Sequence, residues 1–248
     1  MKKIILLFIP FILFGQFKFQ TSRPDRYYKI YIPGINGMYD KDITQDGWGI
    51  YQIYNLRYTT ANAKFGERVL LMNHRYNTQY SQIFINKSNY TVPYGNEYTF
   101  DCWVYPILDN SFSGYGQQIF FTAYRSGCTT IGIIFNCLGN KEIYFKNDNG
   151  SSIVANYFSP NNSCPLNTWT HIAQTRKGDT VYCFINGKLL NKTYTTANFA
   201  NQTPYVNVHI GCLSDASYTY NFSGSIALIR FSEKARWTSD FTPPNKPY

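Results

Sequence analysis

The residues able to do acid, base or metal chemistry are few and scattered. Four glutamates, Glu67, Glu97, Glu142 and Glu233, and three histidines, His74, His171 and His209, are spread over 248 positions. A retaining glycoside hydrolase needs two carboxyl groups about 5 Å apart, which one strand face would supply as acids at i, i+2 and i+4. None of the four glutamates belongs to such a cluster. The histidines lack partners at metal-ligand spacing, and no G-x-S-x-G elbow is present. No catalytic residue is therefore assigned, and His171 reads as a packed, hydrogen-bonded structural residue. The six cysteines, Cys102, Cys128, Cys137, Cys164, Cys183 and Cys212, show no C-x-x-C spacing, which argues against zinc or a redox motif. Cys102 and Cys183 lie inside strand-like runs and read as buried thiols. Cys128 and Cys137 flank a short segment and are the disulfide candidates.

These residues must be positioned by a β-rich chain. Aromatic residues make up 19% and charged residues 15%, a balance that suits pleated surfaces and leaves little to cover exposed helices. The formal net charge is +9, but Lys and Arg are dispersed rather than concentrated along one element, as a nucleic-acid groove would require. No nucleic-acid partner is expected. Lys2-Lys3 followed by apolar Ile4 to Phe14 has the plan of a secretory signal peptide. As a helix it would rise about 16 Å, short of the ~30 Å bilayer core. Residues 1–16 are thus read as a signal-like segment, removed on export or retained against lipid or a partner. No linker or repeat divides residues 17–248, which are taken as one domain.

Period-2 alternation is clearest in Tyr98 to Pro106, where Tyr98, Phe100, Cys102 and Val104 alternate with Thr99, Asp101, Trp103 and Tyr105. Further strands are expected at Tyr27–Ile32, Tyr51–Tyr58, Lys64–Asn73, Gln118–Tyr124, Thr130–Cys137, Glu142–Lys146, Asn167–Arg176, Val206–Gly211 and Gly224–Phe231. Thr180 to Leu189 reads as a hairpin about Asn186-Gly187, whose residues tolerate positive φ. Phe100 and Trp169 are the expected core aromatics.

Five segments in order carry a family resemblance: Lys64-Phe-Gly, the Cys102-Trp-Val-Tyr-Pro strand, Trp169-Thr-His-Ile-Ala, the Asn186-Gly187 hairpin, and Gly224 to Arg230 followed by Ala235-Arg-Trp237 and Phe241-Thr-Pro-Pro. Together they resemble a concanavalin A-like, laminin G-type jelly roll, and their wording is similar to jelly rolls in bacteriophage and other virus structural proteins. The resemblance covers about Tyr27 to Tyr248. It implies an all-β, antiparallel β-sandwich in which the Phe241 to Tyr248 tail lies back across a sheet.

The resemblance also implies a non-enzymatic module exposed on a virion or cell surface, serving assembly and attachment to a glycan, a protein or neighbouring surface subunits. The N-terminal segment is the part that would meet a membrane. A carbohydrate hydrolase on the same fold is the alternative. Calcium is the one cofactor the family suggests, with Asp148 in Asn147-Asp-Asn-Gly150 as its candidate ligand. Ala227 stands where relatives often carry Asp, so a site built on that Asp is not expected. Tyr115, Tyr124, Tyr218 and Tyr220, in Gly- and Ser-rich segments read as loops, are the candidate ligand-binding residues.

Overall fold

The computed structural model describes residues 28–32, 49–54, 56–66, 69–72, 82–86, 97–107, 117–125, 128–148, 153–196, 207–212, 220–232 and 234–246. Among them are fifteen strands, numbered in chain order, and no helix. Sheet A runs β13 (Lys188–Tyr194), β12 (Thr180–Ile185), β11 (Thr170–Lys177), β6 (Glu97–Pro106), β15 (Gly224–Ser232), β4 (Val69–Met72) and β3 (Leu56–Thr59), with β1 (Tyr28–Ile32) also on β15. Sheet B runs β10 (Ile153–Phe158), β9 (Glu142–Asp148), β8 (Cys128–Asn136), β7 (Gln117–Arg125), β14 (Asn207–Ile210), β5 (Gln82–Asn86) and β2 (Gly49–Tyr54). Every pairing is antiparallel. This is the all-β antiparallel sandwich expected from the alternation.

The core forms where alternate residues of the two sheets meet. Tyr98, Phe100, Cys102 and Val104 of β6 face Ile131, Ile133 and Phe135 of β8 and Ile143 and Phe145 of β9 in one apolar cluster. Phe100 stacks on Phe121 with centroids 3.9 Å apart. Burying one such ring contributes about 1.5–3 kcal/mol. Trp169 departs from expectation: it is half-buried beside β11, against Tyr105, and its Nε1 donates to Asn62 O at 2.8 Å.

The outer face of sheet A is also covered, by the C-terminal tail. Strict alternation along β15 would turn Arg230 inward with Ile226. A bulge between Ala227 and Arg230, with Leu228 at φ 51°, inserts one residue and reverses the parity. Arg230 therefore emerges beside Asp101, donating from Nε to Oδ1 at 2.7 Å and from Nη2 to Oδ2 at 2.9 Å. His171 Nε2 lies 3.3 Å from Asp101 Oδ2 in the same buried cluster. Above it, Trp237 and Phe241 stack in parallel at 3.8 Å and meet the His171 ring edge-on. Trp103 Nε1 donates to Pro244 O, and the Phe241 amide donates to Gly187 O. Gly187 is needed at that turn: its φ is +77°, and a Cβ there would lie 2.0 Å from Phe241 O.

Candidate binding face on sheet B

The outer face of β8, β9 and β10 is left open by the tail, which lies on the opposite sheet. Its residues follow from alternation. In β9, Ile143, Phe145 and Asn147 point inward, so Glu142, Tyr144, Lys146 and Asp148 share the outer face. β10 is aligned against it with Tyr144 opposite Phe158 and Lys146 opposite Asn156. Ser159 fixes that register at its end: its amide donates to Ile143 O at 2.9 Å and its Oγ accepts from Ile143 N at 2.7 Å. Pro160 follows and cannot continue the ladder.

The result is an aromatic surface with polar neighbours. The Tyr144 and Phe158 rings stack 4.2 Å apart at 9°, and Phe158 is 53% exposed. Asn156 is exposed two residues away, and Lys146 Nζ lies 3.5 Å from Asp148 Oδ2. Asn136 Nδ2 donates to Glu142 Oε1 at the other end. A flat apolar ring beside an amide, a carboxylate and an ammonium can take the C–H face of a sugar ring and bond its hydroxyls, or dock a partner's side chains. It is not arranged for glycoside cleavage by its own acids. Glu142 and Asp148 are six residues apart on one strand, about 20 Å, whereas even an inverting pair stands about 6.5–9.5 Å apart.

The residues singled out from sequence fall elsewhere. Tyr124 is a correction: it lies within β7, its backbone paired to Asn207 and Thr129, and not in a loop. Tyr220 is half-buried and immediately precedes Asn221-Phe222, where the Phe222 amide bonds Gly211 and Gly211 bonds Phe120, toward the other end of β7. Tyr115, Tyr218, His74, Glu67, Glu233 and the signal-like segment lie outside the described residues.

Asp148 ends β9 largely buried. The described residues offer calcium one carboxylate there, opposed by Lys146, against the six to eight oxygens that ion takes. Asn149 and Gly150 of the same turn lie outside the described residues, and among the described residues no group of three His, Cys, Asp or Glu could hold a metal.

The Cys128–Cys137 pair is overturned by the fold. Cys128 opens β8 and Cys137 follows its last residue, so about 30 Å of extended chain separates them, and a disulfide needs Cα atoms within about 7 Å. Cys102, Cys137, Cys164, Cys183 and Cys212 are all free, buried thiols. Burial pushes Cys164 up to about 12 and Cys102 well above the ordinary range. Buried thiols of this kind are inert.

Two antiparallel sheets packed face to face, with a tail strapped over one of them, define a jelly-roll module of the concanavalin A type. The chain belongs to the concanavalin A-like lectin/glucanases superfamily, through a laminin G family model that matches residues 77–240. No curated protein matches it by sequence. Among solved structures it is similar to the binding domain of Paraclostridial Mosquitocidal Protein 1, with TM-score 0.61 and 14% identity over 84% of this chain and 49% of that one. It is also similar to the binding domain of botulinum neurotoxin DC, solved in complex with rat synaptotagmin II, with TM-score 0.57 and 10% identity over 84% and 48%. A native heptameric SAP-like pentraxin from Limulus polyphemus aligns with TM-score 0.51 and 14% identity over 67% and 76%. The chain spans about half the length of the toxin domains it matches.

Proposed function

We propose that this protein is a non-enzymatic binding module that attaches to a glycan or protein at a surface through the outer face of β8, β9 and β10. The observation that carries the reading is the exposed, stacked Tyr144–Phe158 pair with Asn156 and Lys146 beside it. Stacked aromatics on a strand are held rigid by the ladder beneath, so they offer contact area at little entropic cost. Two of the similar structures are described as binding domains, one in complex with rat synaptotagmin II, which supports attachment as the role. The sequence resemblance to phage and virus jelly rolls extends the proposal to a virion or exported surface protein. In that case residues 1–16 act as an export or anchoring segment ahead of one domain at 17–248, and other surface subunits are further partners.

The test is binding of the full chain to immobilised glycans and to host-cell surface protein, compared with Phe158→Ala. Binding by the parent and at least a tenfold loss in the variant, about 1.4 kcal/mol, is expected. Equal binding by both would refute the site, and release of reducing sugar from a bound polysaccharide would favour the hydrolase.

A further inference from the structure

The C-terminal tail closes over a histidine that has no place for a second proton. His171 is fully buried. Its Nε2 lies 3.3 Å from Asp101 Oδ2 and donates to it in the neutral ring, which leaves Nδ1 as a lone pair. Among the described residues nothing bonds that Nδ1. An imidazolium would carry its added proton there, and a buried donor without an acceptor is costly. The surrounding charge also opposes it. β6 supplies Asp101, but Arg230 of β15 already takes both of its oxygens, at 2.7 and 2.9 Å. The segment ahead of β4 brings a second cation, Lys64, with Nζ 4.0 Å from the centre of the Trp103 ring that meets His171 edge-on. From β12 comes Phe184, against Phe241. The charges on and around the tail are engaged away from the ring. Arg236 Nε donates to Ser232 Oγ at 3.0 Å, Asp240 Oδ2 accepts from Lys188 at 2.8 Å, and Glu97 accepts from the Ala235 amide.

We propose that the tail is a pH-operated cover: a proton on His171 lifts residues 237–246 from sheet A and uncovers the Asp101–Arg230–His171 cluster. Trp237 and Phe241 lie over the ring and are themselves only half-buried. Few printed bonds tie this stretch down: the Phe241 amide to Gly187 O, Trp103 Nε1 to Pro244 O, and Asp240 to Lys188 and the Leu189 amide. A surface segment held in this way opens locally at less cost than the core. Lifting it admits water to Nδ1, and the ring then takes its proton at the ordinary value of 6.5, whereas burial under the tail holds it lower. Each pH unit below 6.5 therefore multiplies the open fraction about tenfold, down to the point at which the covered ring itself protonates. Acid thus presents a second surface, with Trp103 and Phe184 around the Arg230–Asp101 pair, on the sheet opposite Tyr144 and Phe158.

Amide hydrogen exchange on the full chain tests this. Corrected for its intrinsic rate, the protection of the Phe241 amide should fall about 30-fold between pH 7.5 and pH 5.0. Its exchange should be insensitive to low urea, as for a local opening, whereas Phe100 and Ile172 in the core should respond to urea with the full m-value. His171→Gln should abolish the pH dependence. By reciprocal linkage, Gly187→Ala, whose Cβ collides with Phe241 O, should move the ring titration of His171 followed by NMR up toward 6.5. Phe241 protection that is flat with pH overturns the proposal, and so does an equal fall in His171→Gln. Exchange of Phe241 with the urea dependence of the core would mean global unfolding in place of a moving tail, and overturns it too. So does a His171 titration left unmoved by Gly187→Ala.

Discussion

Replacing Gly187 by alanine isolates the contribution of the tail to stability. Two described glycines end up at positive φ in hairpin turns of sheet A: Gly178 at +57° and Gly187 at +77°. Alanine at either must adopt a left-handed conformation, which costs about 1–2 kcal/mol. At Gly178 nothing lies within 4 Å of the added Cβ, so that is the whole effect. At Gly187 the Cβ would sit 2.0 Å from Phe241 O and 2.8 Å from Pro243 Cδ, and backbone on one side or the other has to move. The move breaks the Phe241 N–H bond to Gly187 O, worth about 0.5–1.5 kcal/mol net. It also loosens the Trp237–Phe241 pair over His171, at a cost of about 1 kcal/mol. Gly187→Ala should therefore destabilise by about 3–4 kcal/mol and Gly178→Ala by about 1–2 kcal/mol. Urea denaturation of both variants, at constant m-value, reads the difference. Equal losses would mean that the tail does not hold the sandwich together.

Other outcomes follow from the same structure. Phe100→Ala removes a fully buried ring stacked on Phe121 and should cost about 3–5 kcal/mol in the same assay. Phe158→Ala, at an exposed ring, should cost under about 1 kcal/mol. Burial holds His171 below its ordinary value of 6.5, against the pull of Asp101, so protons bind the unfolded chain more readily than the native one. His171 thus contributes stability that is complete above pH 6.5 and is lost as pH falls below it. Burial raises Asp101, but Arg230 and His171 outweigh it and hold the carboxyl below 3.8, which adds a second loss below pH 3.8. Melting temperature measured from pH 8 to pH 3 should fall in both windows, and His171→Gln should flatten the upper one. The five buried thiols should resist a thiol reagent in native protein and all react in guanidinium, whereas protection persisting after denaturation would indicate disulfides.

The alternation of β6 was legible because one face is wholly apolar and the other carries Asp101 and Trp103, and the Asn186-Gly187 turn because few dipeptides accept its geometry. β10 was not legible: Ala155 and Asn156 have low strand propensity, and its edge position imposes no apolar alternation. Missing β10 meant missing the proposed binding face, since Phe158 acquires meaning only when the ladder sets it on Tyr144. The outward aromatic in Glu142-Ile-Tyr-Phe-Lys-Asn-Asp148, placed between charged neighbours, was the available signal. Tyr124 was misplaced for the opposite reason. The alternation of Gln118–Tyr124 ends a strand on it while its Gly- and Ser-rich surroundings point to a loop, and pairing with β8 and β14 on both sides decides for the strand. The outward turn of Arg230 depends on a bulge at a leucine, which no residue type announces. The cysteine pair looked close in number, but an extended strand converts nine residues into a large distance.

Amide chemical-shift mapping with a glycan or receptor ectodomain that the full chain binds tests the central claim most directly. The account predicts shifts concentrated on Tyr144, Lys146, Asn156 and Phe158, with Trp103, His171 and the 234–246 tail unmoved. Shifts confined to the tail and sheet A, with β9 and β10 silent, would contradict it.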